Sequence, residues 1–486
     1  MTLFSNAKWV SISQFGKILI QLLSLTILTR FIPPEDYGLM ALATVVLNFV
    51  LIIRDLGTAS AIIQRKEIDN DILNSVFWLN ILMGAVLFIV VNALTPLIES
   101  FLANPKLGNI LFLLCFCFPI ASAGSAPQAL MERNSKFKEV AIIELVSASA
   151  GFFVALLFAM NNGGVYALVS QIITNSLLSS FLLIALSSWR PSLYFDFKSA
   201  NKILGFSGRL TVFNLVNYLS RNADSMIISR QYNATILGSY SLAYRIMLFP
   251  LQSLTFIASR SLYPVLSRNQ DDLVTIRNIY LKTIFIISSL TIPMMLGLAV
   301  LREPFVGFAL GENWTITASL LLWLAPTGII QSILSCSGSI LMSTNNAKTL
   351  MFLGIFSAIL QISSFLIGSL FTIKIFAFSY FIANIINAFV VMYFTLGCIK
   401  QSTLGFLKVL AVPSLSGGIM FGCIYYLYSI CVSARFNDFS ILTILTIAGV
   451  IIYLMAFVCF TKVLVNLNVF ESENLPAFVK NILKLR

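Results

Sequence analysis

Thr29-Arg30, followed by Gly38-(x)3-Leu42-Ala43, recurs 200 residues later as Ser229-Arg230 followed by Gly238-(x)3-Leu242-Ala243. Two more landmarks keep the same order, since Leu130-Met131-(x)2-Asn134 returns as Leu341-Met342-(x)2-Asn345 and Pro119 has a counterpart in Pro326. The offset drifts only from 200 to 211, as small loop insertions would cause. A long apolar chain that repeats itself once predicts two copies of one membrane bundle, an architecture typical of transporters.

Composition places the chain in a lipid bilayer. Of its 486 residues, 58% are hydrophobic and only 10% are charged, which is unlike soluble proteins. A spanning helix needs about 20 mostly apolar residues. Fourteen stretches qualify: 9–29, 38–58, 75–96, 110–131, 140–160, 164–186, 205–227, 236–259, 283–301, 316–340, 349–371, 375–397, 406–430 and 440–465. They are too continuously apolar for barrel strands, so we predict an all-α integral membrane protein of about 14 transmembrane helices, the first of which is a retained helix and not a signal peptide.

The spacing of these stretches predicts three parts. Residues 1–200 form an N-terminal six-helix bundle, residues 201–400 a C-terminal six-helix bundle, and residues 401–486 two extra transmembrane helices and a cytoplasmic tail. Because six is even, both bundles enter the membrane in the same direction and are related by a pseudo-twofold axis along the membrane normal. Residues 474–486 fit either a short amphipathic helix on anionic lipid or a frayed basic tail.

The net charge of +12 follows from membrane topology and not from a nucleic-acid partner. With the N-terminus in the cytoplasm, most loop cations are cytoplasmic, and six lie on the opposite side: Arg30, Lys106, Arg230, Arg302, Lys374 and Arg435. This asymmetry is the positive-inside signal, so both termini are predicted to be cytoplasmic.

Several kinds of chemistry have no residues to support them in this sequence. There is no histidine, and the seven cysteines include no CxxC pair. Zinc, haem and histidine-based acid–base chemistry therefore have no suitable residues, and the lack of a Walker A motif argues against ATP hydrolysis within the chain. We predict no catalytic residue, no metal site and no cofactor. Coupling to an ion or to the membrane potential is compatible with the sequence.

Four cations are expected deep inside the spans, namely Lys17, Arg54, Arg221 and Arg245. A charge in the bilayer costs about 2.5–3.5 kcal/mol on insertion scales, so such residues usually face a cavity or a partner. They occupy the first two helices of each predicted bundle, and their convergence on one cleft would suit an anion, above all a diphosphate, which guanidinium binds in bidentate fashion.

Local charge pairing is the alternative interpretation of these cations. Arg54 adjoins Asp55, and Arg221 precedes Asp224 by three residues on the same helical face. Lys17 and Arg245 have no acid nearby in sequence, and Glu144 is interpreted as a local ion-pair or helix-end residue.

The seventh span is unusually polar. It carries Asn214, Asn217, Tyr218, Arg221 and Asp224, more polar groups than a lipid-facing helix would hold. We predict that these residues line a pathway.

The segment after the first span resembles a known family. Arg30-Phe-Ile-Pro-Pro-Glu-Asp-Tyr-Gly38, Arg54-Asp-Leu-Gly57, Ala61-Ile-Ile-Gln-Arg65-Lys-Glu67 and Phe77-Trp78-Leu-Asn80 are similar to the Wzx-type polysaccharide flippases, in particular the colanic-acid-exporter-like branch of the MOP superfamily. No motif transfers the cation roles residue by residue.

The resemblance implies a flippase that moves an undecaprenyl-diphosphate-linked oligosaccharide, such as a capsule, exopolysaccharide or O-antigen repeat unit, across the bacterial inner membrane by alternating access. It also implies membrane lipids, a polymerase and a chain-length regulator as partners. A MATE-type multidrug or cation antiporter shares the superfamily fold and is the alternative, although the first span carries Lys17 and no acid. A polytopic membrane glycosyltransferase or ligase would need catalytic acids on a sizeable loop, and the loop at 302–315 offers only Glu303 and Glu312.

Overall fold

The computed structural model describes residues 3–55, 62, 69–196, 218–249, 266 and 272–466. All regular secondary structure in these ranges is helical, as a chain surrounded by lipid requires, because a helix pairs its own backbone N–H and C=O groups. Twelve helical segments in these ranges are long and apolar enough to cross a membrane, and each matches one predicted span. The other two predicted spans, 205–227 and 236–259, include residues outside the described ranges. The count of fourteen therefore stays a prediction, and the tail 474–486 also lies outside.

The chain divides into two compact units, residues Met1–Ser239 and Tyr240–Arg486. The domain boundaries predicted from the sequence stay predictions. The helices of the first unit are α1 (Leu3–Leu28), α2 (Pro34–Asp55), α3 (Asn70–Leu102), α4 (Leu107–Cys115), α5 (Cys117–Arg133), α6 (Phe137–Met160), α7 (Val165–Leu186) and α8 (Ala223–Gln231). Helix α9 covers 234–249 and continues into the second unit.

The second unit contains α10 (Leu273–Val300), α11 (Arg302–Ala309), a 3-10 turn (Glu312–Trp314), α12 (Thr315–Leu334), α13 (Ser337–Ser343), α14 (Ala347–Gly368), α15 (Ile373–Cys398), α16 (Thr403–Ser433) and α17 (Asp438–Asn466). The third, fourth, fifth and sixth spans of each predicted bundle pack in the same pattern. In the first unit α3 packs on α5, α5 on α7 and α6 on α7, and in the second α10 packs on α12, α12 on α15 and α14 on α15. The fourth span is interrupted in both units, between α4 and α5 and between α12 and α13.

The turn after the fourth span has the same geometry in both units. Ser135 and Asn345 each adopt a positive φ, of 57° and 58°. The next amide reaches back five residues in both, from Lys136 N to Met131 O at 2.9 Å and from Asn346 N to Leu341 O at 2.8 Å. These structurally equivalent residues are 210 positions apart in the sequence, whereas the Leu-Met motifs that match by sequence are 211 apart.

The two helices that follow the second set of six belong to the second unit's core. Helix α16 packs against α10 and α17, and the Tyr453 hydroxyl of α17 donates a hydrogen bond to the Ser289 carbonyl of α10 at 2.8 Å. Buried apolar residues, including Met420, Ile424 and Leu445, fill the space between these helices.

The repeated phrase starts α2 and α9, and both copies meet inside the first unit. Pro34 opens α2, where its fixed φ suits the first turn, and Glu35 and Asp36 complement the positive end of the helix dipole. One turn later a Cβ added to Gly38 would overlap the Ala234 carbonyl oxygen, and a Cβ added to Gly238 would overlap that of Pro34. The contact is reciprocal, so a local twofold relation passes between the two glycines.

Candidate functional site

Lys17 lies on α1 and is paired. Its Nζ is 2.9 Å from Oε2 of Glu144 on α6, and the Ser13 hydroxyl donates a short hydrogen bond to the same carboxylate oxygen. The two charged side chains are 39% and 30% exposed, so the pair is only partly buried. Opposite charges at this distance neutralise each other locally, and Glu144 is the ion-pair residue that the sequence indicated, with a partner 127 residues away.

Arg54 is half-buried in the last turn of α2. A cation at this position is favoured by the negative end of the helix dipole. The side chain of Asp55, its neighbour, is outside the described part of the chain. The choice between charge pairing and a pathway role for Arg54 therefore stays open.

Tyr218 fastens the seventh predicted span to α2. Its hydroxyl donates a hydrogen bond to the Val45 carbonyl at 3.0 Å, and its ring centroid is 6.4 Å from that of Phe49. The Asn48 side chain lies close to this hydroxyl. Asn48 is exposed in the middle of an apolar helix, which is unusual for a group facing lipid.

Arg221 lies one turn after Tyr218 and is exposed. Asp224, the predicted local partner, is only 4% exposed, and the helix is interrupted by a turn at Asn222 between them. Asp224 instead accepts a hydrogen bond from the backbone N–H of Ser225 at 2.6 Å. The ion pairs between described residues do not include one from Arg221 to Asp224, and the choice between charge pairing and a pathway role for Arg221 stays open.

The remaining predicted positions are divided between the second unit and the undescribed residues. Arg245 is exposed on α9, in the second unit. Asn214 and Asn217 lie outside the described residues. In the first unit, Tyr218 contacts α2 and Arg221 is exposed one turn later, whereas Lys17 pairs on the α1–α6 contact.

A polar network inside the second unit was missed by the sequence reasoning. The Gln331 amide of α12 donates to the Tyr380 hydroxyl at 2.7 Å and to Asn384 Oδ1 at 3.2 Å on α15. Asn384 and Asn387 are 1% and 6% exposed. The spacing 380, 384, 387 puts three polar groups on one face of a span, a signal that sequence inspection could have used.

Chemically, the first unit offers the exposed guanidinium of Arg221, one turn from Tyr218, and the exposed amide of Asn48 on the apolar helix α2. Such groups bind an anion and its attached hydroxyl-rich substituents by charge-assisted and neutral hydrogen bonds.

Residues 27–319 match the family described as "Polysaccharide biosynthesis protein", which is more than half of the chain. The chain is 30% identical over 366 residues to the lipopolysaccharide biosynthesis protein WzxC of Escherichia coli (strain K12), covering 75% of this chain and 74% of that protein. It is 24% identical over 313 residues to the succinoglycan biosynthesis transport protein ExoT of Rhizobium meliloti (strain 1021), covering 64% and 63% of the two chains.

Two solved structures share the fold. The lipid II flippase MurJ, in an inward closed conformation, aligns with a TM-score of 0.73 at 19% identity and covers 94% of this chain and 99% of its own. An inward-facing MATE family multidrug resistance transporter of the MOP superfamily aligns with a TM-score of 0.63 at 15% identity, covering 79% and 94%. The chain belongs to the polysaccharide biosynthesis protein family and is a multi-pass membrane protein with the MOP superfamily fold.

Proposed function

We propose that this family member is a flippase that moves an undecaprenyl-diphosphate-linked oligosaccharide across the bacterial inner membrane by alternating access. Family membership and the full-length likeness to a lipid II flippase support a transporter and not an enzyme. The observation that carries the substrate class is the exposed Arg221 beside Tyr218, on a segment packed against the apolar helix α2.

The diphosphate is the part of this substrate that the cations recognise. A guanidinium binds two phosphate oxygens in parallel, and the gain is largest where water is scarce. Arg221 is the leading candidate, and Arg54 and Arg245 are the further candidates. Lys17 takes a weaker role because Glu144 already offsets its charge at 2.9 Å.

Fold alone does not separate this proposal from a multidrug antiporter, since a MATE transporter aligns well too. Charge and family membership are what distinguish a flippase from a multidrug antiporter here. Helix α1 carries Lys17 and no acid between residues 9 and 28, so an acidic site on this helix for a cationic drug or a coupling ion is lacking.

The proposal extends to orientation and partners. Both termini lie in the cytoplasm, the substrate enters from the cytoplasmic leaflet, and a polymerase and a chain-length regulator of the same pathway act on the released product. No cofactor takes part, and an ion gradient or the membrane potential drives the cycle.

The test uses cells that lack their own flippase for the same glycan and carry the full chain on a plasmid. Wild type should restore surface polysaccharide, and Arg221→Lys should restore it only in part, because an ammonium keeps the charge and loses the bidentate geometry. Arg221→Ala should lower it about tenfold or more, as expected for a lost charge-assisted contact. Lys348→Ala, at an exposed lysine that starts α14, is the matched control, and membrane abundance is measured for every variant.

Two results would count against the proposal. Full export by an abundant Arg221→Ala protein would remove this arginine from the site. A wild-type chain that confers drug efflux but restores no polysaccharide with any Wzx-type substrate would refute the flippase function itself.

A further inference from the structure

A cavity of about 570 Å³ lies at one end of the second unit. It is bounded by α11, the 3-10 turn, the first half of α12 and the start of α15. The end of α10 and the beginning of α15 are on this side of the bundle, which the positive-inside signal assigns to the periplasm. A space of this volume is in the range of sites for small molecules.

The rim of the cavity carries two charges of each sign. Arg302 and Lys374 are the cations, and Glu303 and Glu312 are the acids. Arg302 donates to the Ala299 carbonyl at 2.7 Å and to Glu303 at 3.2 Å, so these two charges hold each other. Lys374 and Glu312 are exposed, and neither forms an ion pair with any residue in the described ranges.

The presence of two cations here is unexpected on topological grounds. Only six loop cations of the chain fall on the side with few positive charges, and Arg302 and Lys374 are two of them. Cations on that side do not contribute to orientation. Arg302 is held by its contacts with Ala299 and Glu303, whereas Lys374 forms no ion pair with a described residue, so a bound anion would give this lysine a partner.

The lining residues furthest from the start of α12 are apolar. They are Leu322 and Trp323, and Trp323 is eight residues into α12, about 12 Å from the helix start. The Trp323 ring packs edge-on against Phe378 at 4.6 Å, and Phe378 is 39% exposed on a spanning helix. The cavity therefore runs from a charged rim at the membrane surface into the apolar zone.

We infer that this cavity binds the head group and upper acyl chain of a zwitterionic phospholipid from the outer leaflet. The phosphodiester is held by Lys374 and Arg302 at the rim, the ammonium by Glu312, and the acyl chain lies against Leu322 and Trp323. The lining charges include no excess of cations, and the Asp438 carboxylate lies against Gly307 on the cavity wall, which disfavours a diphosphate relative to a zwitterion. An apolar floor suits an acyl chain better than a sugar. The inference stands without the proposed transport function, because it concerns a separate surface of the second unit.

The experiment titrates the purified full chain in detergent with phosphatidylethanolamine or phosphatidylglycerol and counts bound lipids by native mass spectrometry. Wild type should bind one phosphatidylethanolamine at least tenfold more tightly than phosphatidylglycerol. Glu312→Gln and Lys374→Gln should each weaken phosphatidylethanolamine binding about tenfold, as one charge-assisted contact is lost. Lys348→Gln should bind like wild type, since this exposed lysine starts α14 at the other end of the bundle.

A second measurement locates the bound lipid. Phosphatidylethanolamine with brominated acyl chains quenches nearby tryptophans, and the quenched fraction should fall in Trp323→Phe, which keeps a ring in the cavity. Equal binding of both lipids, unchanged affinity in Glu312→Gln and Lys374→Gln, or quenching that persists in Trp323→Phe would each overturn the inference. If brominated lipid does not quench Trp323 and a soluble oligosaccharide shields this residue, the inference is overturned and the cavity is a glycan site.

Discussion

Replacing Gly38 by alanine is expected to separate α2 from α9 where their backbones touch. The added Cβ would overlap the Ala234 carbonyl oxygen and lie 2.7 Å from its carbonyl carbon and 3.0 Å from the Gly238 nitrogen. Carbon atoms in contact prefer about 3.5–4.0 Å, so the helices must move apart by roughly 1 Å. Backbone atoms cannot rotate out of the way, as the end of a side chain would.

Overpacking of this kind typically costs about 1–3 kcal/mol. The population of the packed arrangement, relative to any arrangement in which the two helices are apart, should therefore fall about tenfold or more. A difference of about 1.4 kcal/mol corresponds to a factor of ten. A transporter that must pass through the packed arrangement in each cycle should lose polysaccharide export by a similar factor. The measurements are surface polysaccharide in cells and, on purified protein, the distance between spin labels at exposed sites on α2 and α9.

Gly354→Ala is the matched control. This glycine lies inside α14, and an added Cβ there meets no atom within 4 Å. Alanine is the better helix former by about 1 kcal/mol, so the control should be neutral or slightly stabilising. Gly238→Ala should reproduce the effect of Gly38→Ala, because its Cβ would overlap the Pro34 carbonyl. Unchanged helix separation and full export in Gly38→Ala would refute the reasoning.

Three further predictions concern other described contacts. A double-mutant cycle on Lys17 and Glu144 should give a coupling of about 1 kcal/mol in thermal stability, and strict additivity would contradict the pairing. The Arg190 guanidinium caps the end of α7, where it donates to the Ser187 carbonyl at 2.6 Å and to the Ala185 carbonyl at 2.9 Å. Arg190→Gln should therefore destabilise the first unit by about 1 kcal/mol, and an unchanged melting temperature would exclude this capping role. Hydrogen bonds from Thr275 and Val274 hold the pKa of Asp272, the N-cap of α10, below its ordinary value. Asp272→Ala should therefore lower Tm at pH 7, and this loss of Tm should fade as the pH drops through the lowered pKa. A loss of Tm that does not depend on pH would exclude the charge effect.

Apolar length was sufficient to predict the spans that the structure describes. The bilayer requires each to be a helix of about 20 residues, so a local count reaches the answer. Helix edges differ more, because helices such as α3 (Asn70–Leu102) extend well beyond the apolar stretch 75–96 with polar ends. Turn geometry was not predicted, although the positive-φ residues after the fourth span show that it repeats in both units.

Side-chain partners were harder to predict because they depend on contacts between distant residues. Lys17 had no acid nearby in sequence, and its partner Glu144 is reached only when α1 packs on α6. Asp224 looked like a partner for Arg221 by helical spacing, but the turn at Asn222 interrupts that spacing. The Val45 carbonyl that binds Tyr218 carries no sequence signal at all, since every residue has a carbonyl.

The reciprocal glycine contact explains why the repeat was detectable at 30–43 and 230–243 although most of the two halves share little sequence. At a local twofold, each copy of the phrase packs against the other copy, so both face the same steric requirement. Away from that point each half meets different neighbours, and its side chains are free to diverge. Gly38 and Gly238 are needed for one backbone contact, and any motion that opens it must release Ala234 and Pro34 together. A substitution on either side alone should therefore act on both, which makes single and double glycine variants non-additive.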